Sequence, residues 1–127
     1  MSCYRAPSWL PGGHAQTIYP LLIQPDPLPY HRQRWETPDG DFIDLDWNVT
    51  PSSIPDDRPL LVLFHGLEGS SVSHYAITLM RAVATIGWAG VVVNFRGCSG
   101  ESNRLPRAYH SGDSDEIDWI LRRLRRL

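Results

Sequence analysis

"LLVLFHGLEGSSVSHY", Leu60 to Tyr75, is an apolar run that breaks at His65-Gly66 and then turns polar and rich in Gly and Ser. Five consecutive apolar residues, Leu60–Phe64, read as a strand buried on both faces, as in a parallel sheet. Between Ser73 and Ile86, the residues Tyr75, Leu79, Ala82, Val83 and Ile86 fall at helical spacing, and Gly87 supplies the stop. Val91–Phe95 is a second unbroken apolar strand. Strand, helix and strand with short connections form a βαβ unit, which predicts parallel strands and a right-handed crossover. A glycine-bearing turn between such a strand and helix can hold an anion, a phosphate or a developing oxyanion.

Upstream, Ile43, Leu45, Trp47 and Val49 alternate with Asp44, Asp46 and Asn48, the period of a strand with one wet face. Pro38-Asp39-Gly40 supplies a turn, so Arg32–Thr37 and Asp41–Val49 read as an antiparallel hairpin. The linker "TPSSIPDDRP" (50–59) reads as exposed. Residues 1–29 read as an extended arm, because Pro7, Pro11, Pro20, Pro25, Pro27 and Pro29 limit "GGHAQTIYPLL" to one or two helical turns. Trp9, Leu10, Ile18, Tyr19, Leu21 and Leu22 are too apolar for a free tail and are expected to lie on the domain formed by residues 30–127. Downstream, Asp113 precedes Glu116 by three, a capping-box spacing. Ile117, Ile120, Leu121, Leu124 and Leu127 form the apolar stripe of a last helix. Arg122, Arg123, Arg125 and Arg126 read as its solvated face, placed where the helix dipole favours cations.

Composition removes several function classes. At 127 residues, 42% hydrophobic and 20% charged, the chain fits one ordinary globular domain. A net charge of −2 gives no electrostatic footprint for nucleic acid or an acidic membrane surface. All 12 basic residues are Arg, which excludes a P-loop lysine, a Schiff-base lysine and a Ser-Lys dyad. Cys3 and Cys98 form no disulfide framework, which points to a reducing compartment. The first thirty residues lack the pattern of a signal peptide, and no apolar stretch reaches the roughly 20 residues of a membrane span. A cytoplasmic protein is the expectation.

A strand followed by His65-Gly66 and then a helix suits acyl transfer, which needs backbone N–H donors aimed at the oxygen that becomes negative. Gly66 lets the chain turn sharply, and Leu67 presents its N–H. The bland alternative is a plain βα turn. A dinucleotide site is a rival, but Gly66-Leu67-Glu68-Gly69 lacks the paired glycines of that fingerprint. Arg96 after the second strand, placed to accept a 2′-phosphate, keeps the rival open. His65, Glu68 and His74 match no helical zinc spacing, and His14, His31 and His110 are isolated, so no metal site is expected. In "NFRGCSGES", Gly97-x-Ser99 is followed by Gly100-Glu101, one residue out of step with a Gly-x-Ser-x-Gly nucleophile elbow. Ser99 reads as a loop residue.

The segments "WLPGGHAQTIYP" (9–20), "ETPDGDFIDLDW" (36–47), "LFHGLEGSSVSHY" (63–75) and "VVVNFRGCSGESNRLPRAYHSGD" (91–113) together resemble the YheT-type hydrolases. These are an α/β-hydrolase 4-like group of the α/β-hydrolase superfamily, with eukaryotic relatives that act on lipid esters. The resemblance implies the N-terminal part of an α/β-hydrolase fold: an antiparallel hairpin followed by a parallel βαβ with flanking helices. It also implies carboxylic-ester hydrolysis through a Ser-His-Asp triad and an acyl-enzyme, on a small-molecule or lipid ester, with no cofactor and no metal.

By the same resemblance the Leu67 backbone N–H belongs to the oxyanion hole, supported by His65, Gly66 and Glu68. Arg96, Gly97, Cys98 and Ser99 form a loop at the active-site mouth. Members of the family continue with a strand bearing Gly-x-Ser-x-Gly and later supply an Asp and a His. That pattern occurs nowhere in these 127 residues, so the chain is expected to stop before the nucleophile strand and to carry only the oxyanion half. A catalytically inactive truncated product and a nucleotide-binding α/β domain are the alternatives. In this fold the strand ending at the His-Gly turn lies between its successor and the nucleophile strand. Leu60–Phe64 is therefore expected at a sheet edge, available for self-association.

Overall fold

The computed structural model describes residues 5–23, 26–106 and 113–127. Cys3, His110 and the rest of 107–112 lie outside them. The described elements are α1 (Gly13–Leu22), β1 (His31–Glu36), β2 (Phe42–Trp47), β3 (Leu60–Phe64), α2 (His74–Thr85), β4 (Ala89–Asn94) and α3 (Ser114–Leu124). A turn of 3₁₀ helix, Pro51–Ser53, follows β2. The strands form one sheet in the order β1-β2-β4-β3. The hairpin β1–β2 is antiparallel, with Arg32 opposite Asp46 and Arg34 opposite Asp44. β2 meets β4 antiparallel, and β3 meets β4 parallel, the arrangement expected of a βαβ unit.

Because side chains alternate across a strand, β4 divides its valines between two cores. Val91 and Val93 join Trp35, Ile43, Leu45 and Trp47 under Ile120 and Leu124 of α3. Val92 faces the other way, with Ala76 and Met80 of α2. β3 splits likewise: Leu60, Val62 and Phe64 pack toward the α3 core, and Leu61 and Leu63 toward α2. β3 is half-buried along its whole length, not enclosed on both faces, because it stands at the edge of the sheet.

Four local expectations are corrected. α2 buries Ala76, Ile77, Met80 and Val83, whereas Tyr75, Ala82 and Ile86 are exposed. The helix turns this face inward because Met80 seats on Gly90, where an added Cβ would lie 2.7 Å from Met80 Cε. α1 runs for 10 residues, longer than one or two turns. Trp9 packs edge-on against Tyr19, while Trp9, Ile18, Tyr19 and Leu22 remain exposed instead of lying on the sheet. In α3, Leu121 and Leu127 are exposed, and Arg123 is not simply solvated: its guanidinium lies over the Trp35 ring, 4.4 Å from the centroid. The fourth correction, the wet face of β2, belongs to the site.

Candidate functional site

β3 ends at Phe64, and the chain enters a turn in which Gly69 N donates to Gly66 O at 2.9 Å. Leu67 and Glu68 are its two central residues. Glu68 has φ 55°, the left-handed conformation that such a turn asks of its third position. His65 is buried beneath it. Its Nε2 lies 3.0 Å from Phe95 N and accepts that backbone N–H. The proton therefore sits on Nδ1, which donates to Gly66 O at 2.8 Å. Burial pushes the His65 pKa down, in keeping with a neutral ring. Gly66 N donates to the Tyr75 hydroxyl at 3.0 Å. Leu67 itself projects into solvent, 84% exposed, and its N–H is donated to no group among the described residues.

The segment after the turn is pinned to the sheet by a polar network. Ser71 N donates to Asn94 Oδ1 at 2.9 Å, and Ser71 Oγ donates to Asp46 Oδ2. Asn94 Nδ2 donates to Asp46 Oδ2 at 2.9 Å and to Asp44 O at 3.2 Å. Arg32 grips Asp46, and Arg34 grips Asp44, each through two bonds of 2.8 Å in a bidentate fork. The face of β2 expected to be wet is thus covered, and Asp44 and Asp46 are each 1% exposed. Burial alone would raise Asp46, but hydrogen bonds from Arg32 and Ser71 and the Arg32 charge outweigh it and hold its carboxyl below the usual range. Tyr30 donates its hydroxyl to Ser71 O at 2.8 Å. Burial, with the Asp46 charge, pushes that phenol up to about 12, so it remains a neutral donor.

The loop after β4 serves two sides. Gly97 has φ 77° in a turn closed by Cys98 N to Phe95 O at 2.9 Å. Ser99 bends over β2, donating its hydroxyl to Asp44 Oδ2 at 2.7 Å and accepting from Arg32 Nη1 through its carbonyl. Cys98 lies between them, its Sγ 3.8 Å from Arg96 O. The Arg96 side chain departs from this group. Its guanidinium, 3% exposed, meets Asp39 at 2.8 Å, Asp41 at 3.2 Å and Glu116 of α3 at 2.7 Å. It is committed to three carboxylates and is not presented to a 2′-phosphate. The structure therefore brings His65, Gly66, Leu67 and Glu68 together in one turn. Phe95 links them to the start of the Arg96–Ser99 loop, while the Arg96 charge is kept for α3 and the hairpin.

Sequence reading missed Asp46, Asn94, Ser71 and Tyr75 as supports of the turn. The signal for Asp46 was present: Arg32 and Arg34 fall opposite Asp46 and Asp44 once the hairpin register is counted across Pro38-Asp39-Gly40. Nothing comparable marks Tyr75, whose spacing fits an apolar stripe.

An antiparallel hairpin followed by a parallel strand, a sharp turn and a helix fits the N-terminal part of an α/β-hydrolase. Residues 59–126 match the α/β-hydrolase fold family, and the chain belongs to it. Over 115 residues, 89% of the chain and 33% of the relative, it is 51% identical to YheT of Escherichia coli, named as a candidate esterase. It is 29% identical to human phospholipase ABHD3 over 123 residues, 93% of the chain and 30% of that protein. Over 72 residues, 56% of the chain and 16% of the relative, it is 29% identical to a monoacylglycerol lipase of Saccharomyces cerevisiae. The chain spans a third or less of the length of these relatives. No solved structure matches it. Among the described residues, no helix is long and apolar enough to cross a membrane.

Proposed function

We propose that this chain carries the oxyanion-donating part of a carboxylic-ester hydrolase whose nucleophile, acid and base lie outside these 127 residues. A serine hydroxyl attacks the ester carbonyl, and its proton passes to a histidine. The carbonyl oxygen becomes negative, and the Leu67 N–H donates to it. The alcohol then leaves with that proton, and water later releases the acid from the acyl-enzyme. One observation carries this reading: among the described residues the Leu67 amide donates to no group, at the tip of a turn whose Gly66 N–H, Gly66 carbonyl and Gly69 N–H are each held by hydrogen bonds. The names of the relatives, an esterase, a phospholipase and a lipase, support an ester as the substrate class.

The test joins this chain to the part of the Escherichia coli relative that follows the matched third. The joined protein is expected to hydrolyse short nitrophenyl esters and to react with a fluorophosphonate probe, and the 127-residue chain alone to do neither. A folded joined protein without activity would overturn the proposal. Activity of the chain alone that disappears in Ser99→Ala would make Ser99 the nucleophile instead.

A further inference from the structure

We infer that Tyr75 is a positioning residue for the oxyanion donor: its hydroxyl fixes the Gly66 amide and with it the direction of the Leu67 N–H. This rests on the proposed hydrolase reading and extends it to a side chain in α2. Tyr75 is 48% exposed, so burial of its ring does not account for it. Its hydroxyl accepts the Gly66 N–H at 3.0 Å. The hydroxyl also lies against Gly69, where an added Cβ would come within 2.5 Å of the Tyr75 oxygen. Tyr75 therefore sits between the first and last residues of the turn that displays Leu67.

Peptide planarity explains why this matters. The Leu67 N–H belongs to the same rigid plane as the Gly66 carbonyl and points opposite to it. That carbonyl is held by Gly69 N and by His65 Nδ1. The preceding peptide, which carries the Gly66 N–H, is held by Tyr75. Between the two planes lies glycine, the residue least able to fix φ and ψ for itself. Without the Tyr75 hydroxyl, the His65–Gly66 peptide can swing about Gly66, and the Leu67 amide is aimed only by the two bonds to the Gly66 carbonyl. Among the described residues Tyr75 donates its own hydroxyl hydrogen to no group, so Tyr75→Phe removes this one hydrogen bond and leaves the ring.

The joined protein described above provides the activity readout. Tyr75→Phe is expected to lower kcat by about tenfold to a hundredfold, the scale of a small misplacement of a reacting group, with KM changed less than about twofold. Gly69→Ala is expected to lower kcat as well, because the new methyl meets both the Tyr75 hydroxyl, at 2.5 Å, and the Gly66 carbonyl, at 3.0 Å. Unchanged kcat in Tyr75→Phe, or an effect confined to KM, would overturn the inference while leaving the hydrolase intact. If the joined protein is folded but inactive, the hydrolase reading fails and amide exchange still decides the geometry. Gly66 N–H should exchange faster in Tyr75→Phe than in the parent, and equal rates would overturn it.

Discussion

His65 Nε2 accepts the backbone N–H of Phe95 at 3.0 Å, so one imidazole joins the residue after β3 to the residue after β4. The bond fixes the tautomer. With Nε2 as acceptor, Nδ1 must donate, and it does so to Gly66 O at 2.8 Å. The ring also stands edge-on to Phe95, 5.0 Å between centroids. The turn that displays Leu67 is thereby referred to the parallel strand pair and not left to the loop alone.

A neutral His65 makes stability depend on pH. Burial lowers its pKa below the ordinary 6.5. Above 6.5 the ring is neutral in both folded and unfolded chains, and its contribution is fully present. As pH falls below 6.5, the unfolded chain takes up a proton first, and stability declines until the folded pKa is reached. Urea midpoints measured from about pH 7.5 down to about pH 4.5 should fall below 6.5 in the parent and fall less in His65→Asn, whose amide does not titrate. Parallel profiles would exclude His65 as the source. A second decline, from Asp44 and Asp46, should begin near the ordinary 3.8, because both carboxyls are held below it.

Arg96 and Arg104 each make carboxylate contacts, but with different consequences. Arg96→Ala strands Glu116, 4% exposed, and takes one partner from the buried Asp41, and should cost about 3–5 kcal/mol. Arg104 pairs with Glu36 at the surface, both at least half exposed, and Arg104→Ala should leave the urea midpoint within experimental error. Equal shifts in the two variants would show that Arg96 is not enclosed as described.

The two edges of the sheet are unequally protected. β1 carries Arg32, Arg34 and Glu36 along its length. β3 is Leu-Leu-Val-Leu-Phe, half-buried, with only Pro59 before it. An apolar edge with unpaired backbone groups is a template for another chain, so we expect the 127-residue chain to self-associate through Leu60–Phe64. Sedimentation over a concentration series should show association that Pro59→Lys reduces. That substitution leaves in place the Pro59 carbonyl that accepts Ala89 N. A monodisperse parent that melts cooperatively would contradict this.

The sheet and the His-Gly turn were legible because they rest on local signals: unbroken apolar runs for β3 and β4, alternation for β2, and Pro38-Asp39-Gly40 for the hairpin. The supports of the turn were not, because each is a pairing between distant residues. Asp46 read as solvent-facing because alternation reports which residues share a face, not what covers it. The cover comes from Ser71, 25 positions on from Asp46, and from Ser99, 55 positions on from Asp44. The α2 face was misread because Tyr75 and Ile86 are apolar enough to mimic a core stripe, while the true stripe follows from the space left by Gly90. The place of Arg96 after a strand offers it to a 2′-phosphate, whereas its three carboxylate partners come from the hairpin turn and from α3.

The central claim, that the Leu67 backbone N–H is the oxyanion donor, is tested by comparing Leu67→Ala with Leu67→Pro in the joined hydrolase. Leu67 is the second residue of its turn, a position that proline suits, so Leu67→Pro removes the N–H with little disturbance of the backbone. Leu67→Ala removes an exposed side chain and keeps the N–H. The account predicts that Leu67→Ala retains most activity, while Leu67→Pro stays folded and loses on the order of 10²–10³ in kcat. Equal kcat in the two folded variants would contradict it.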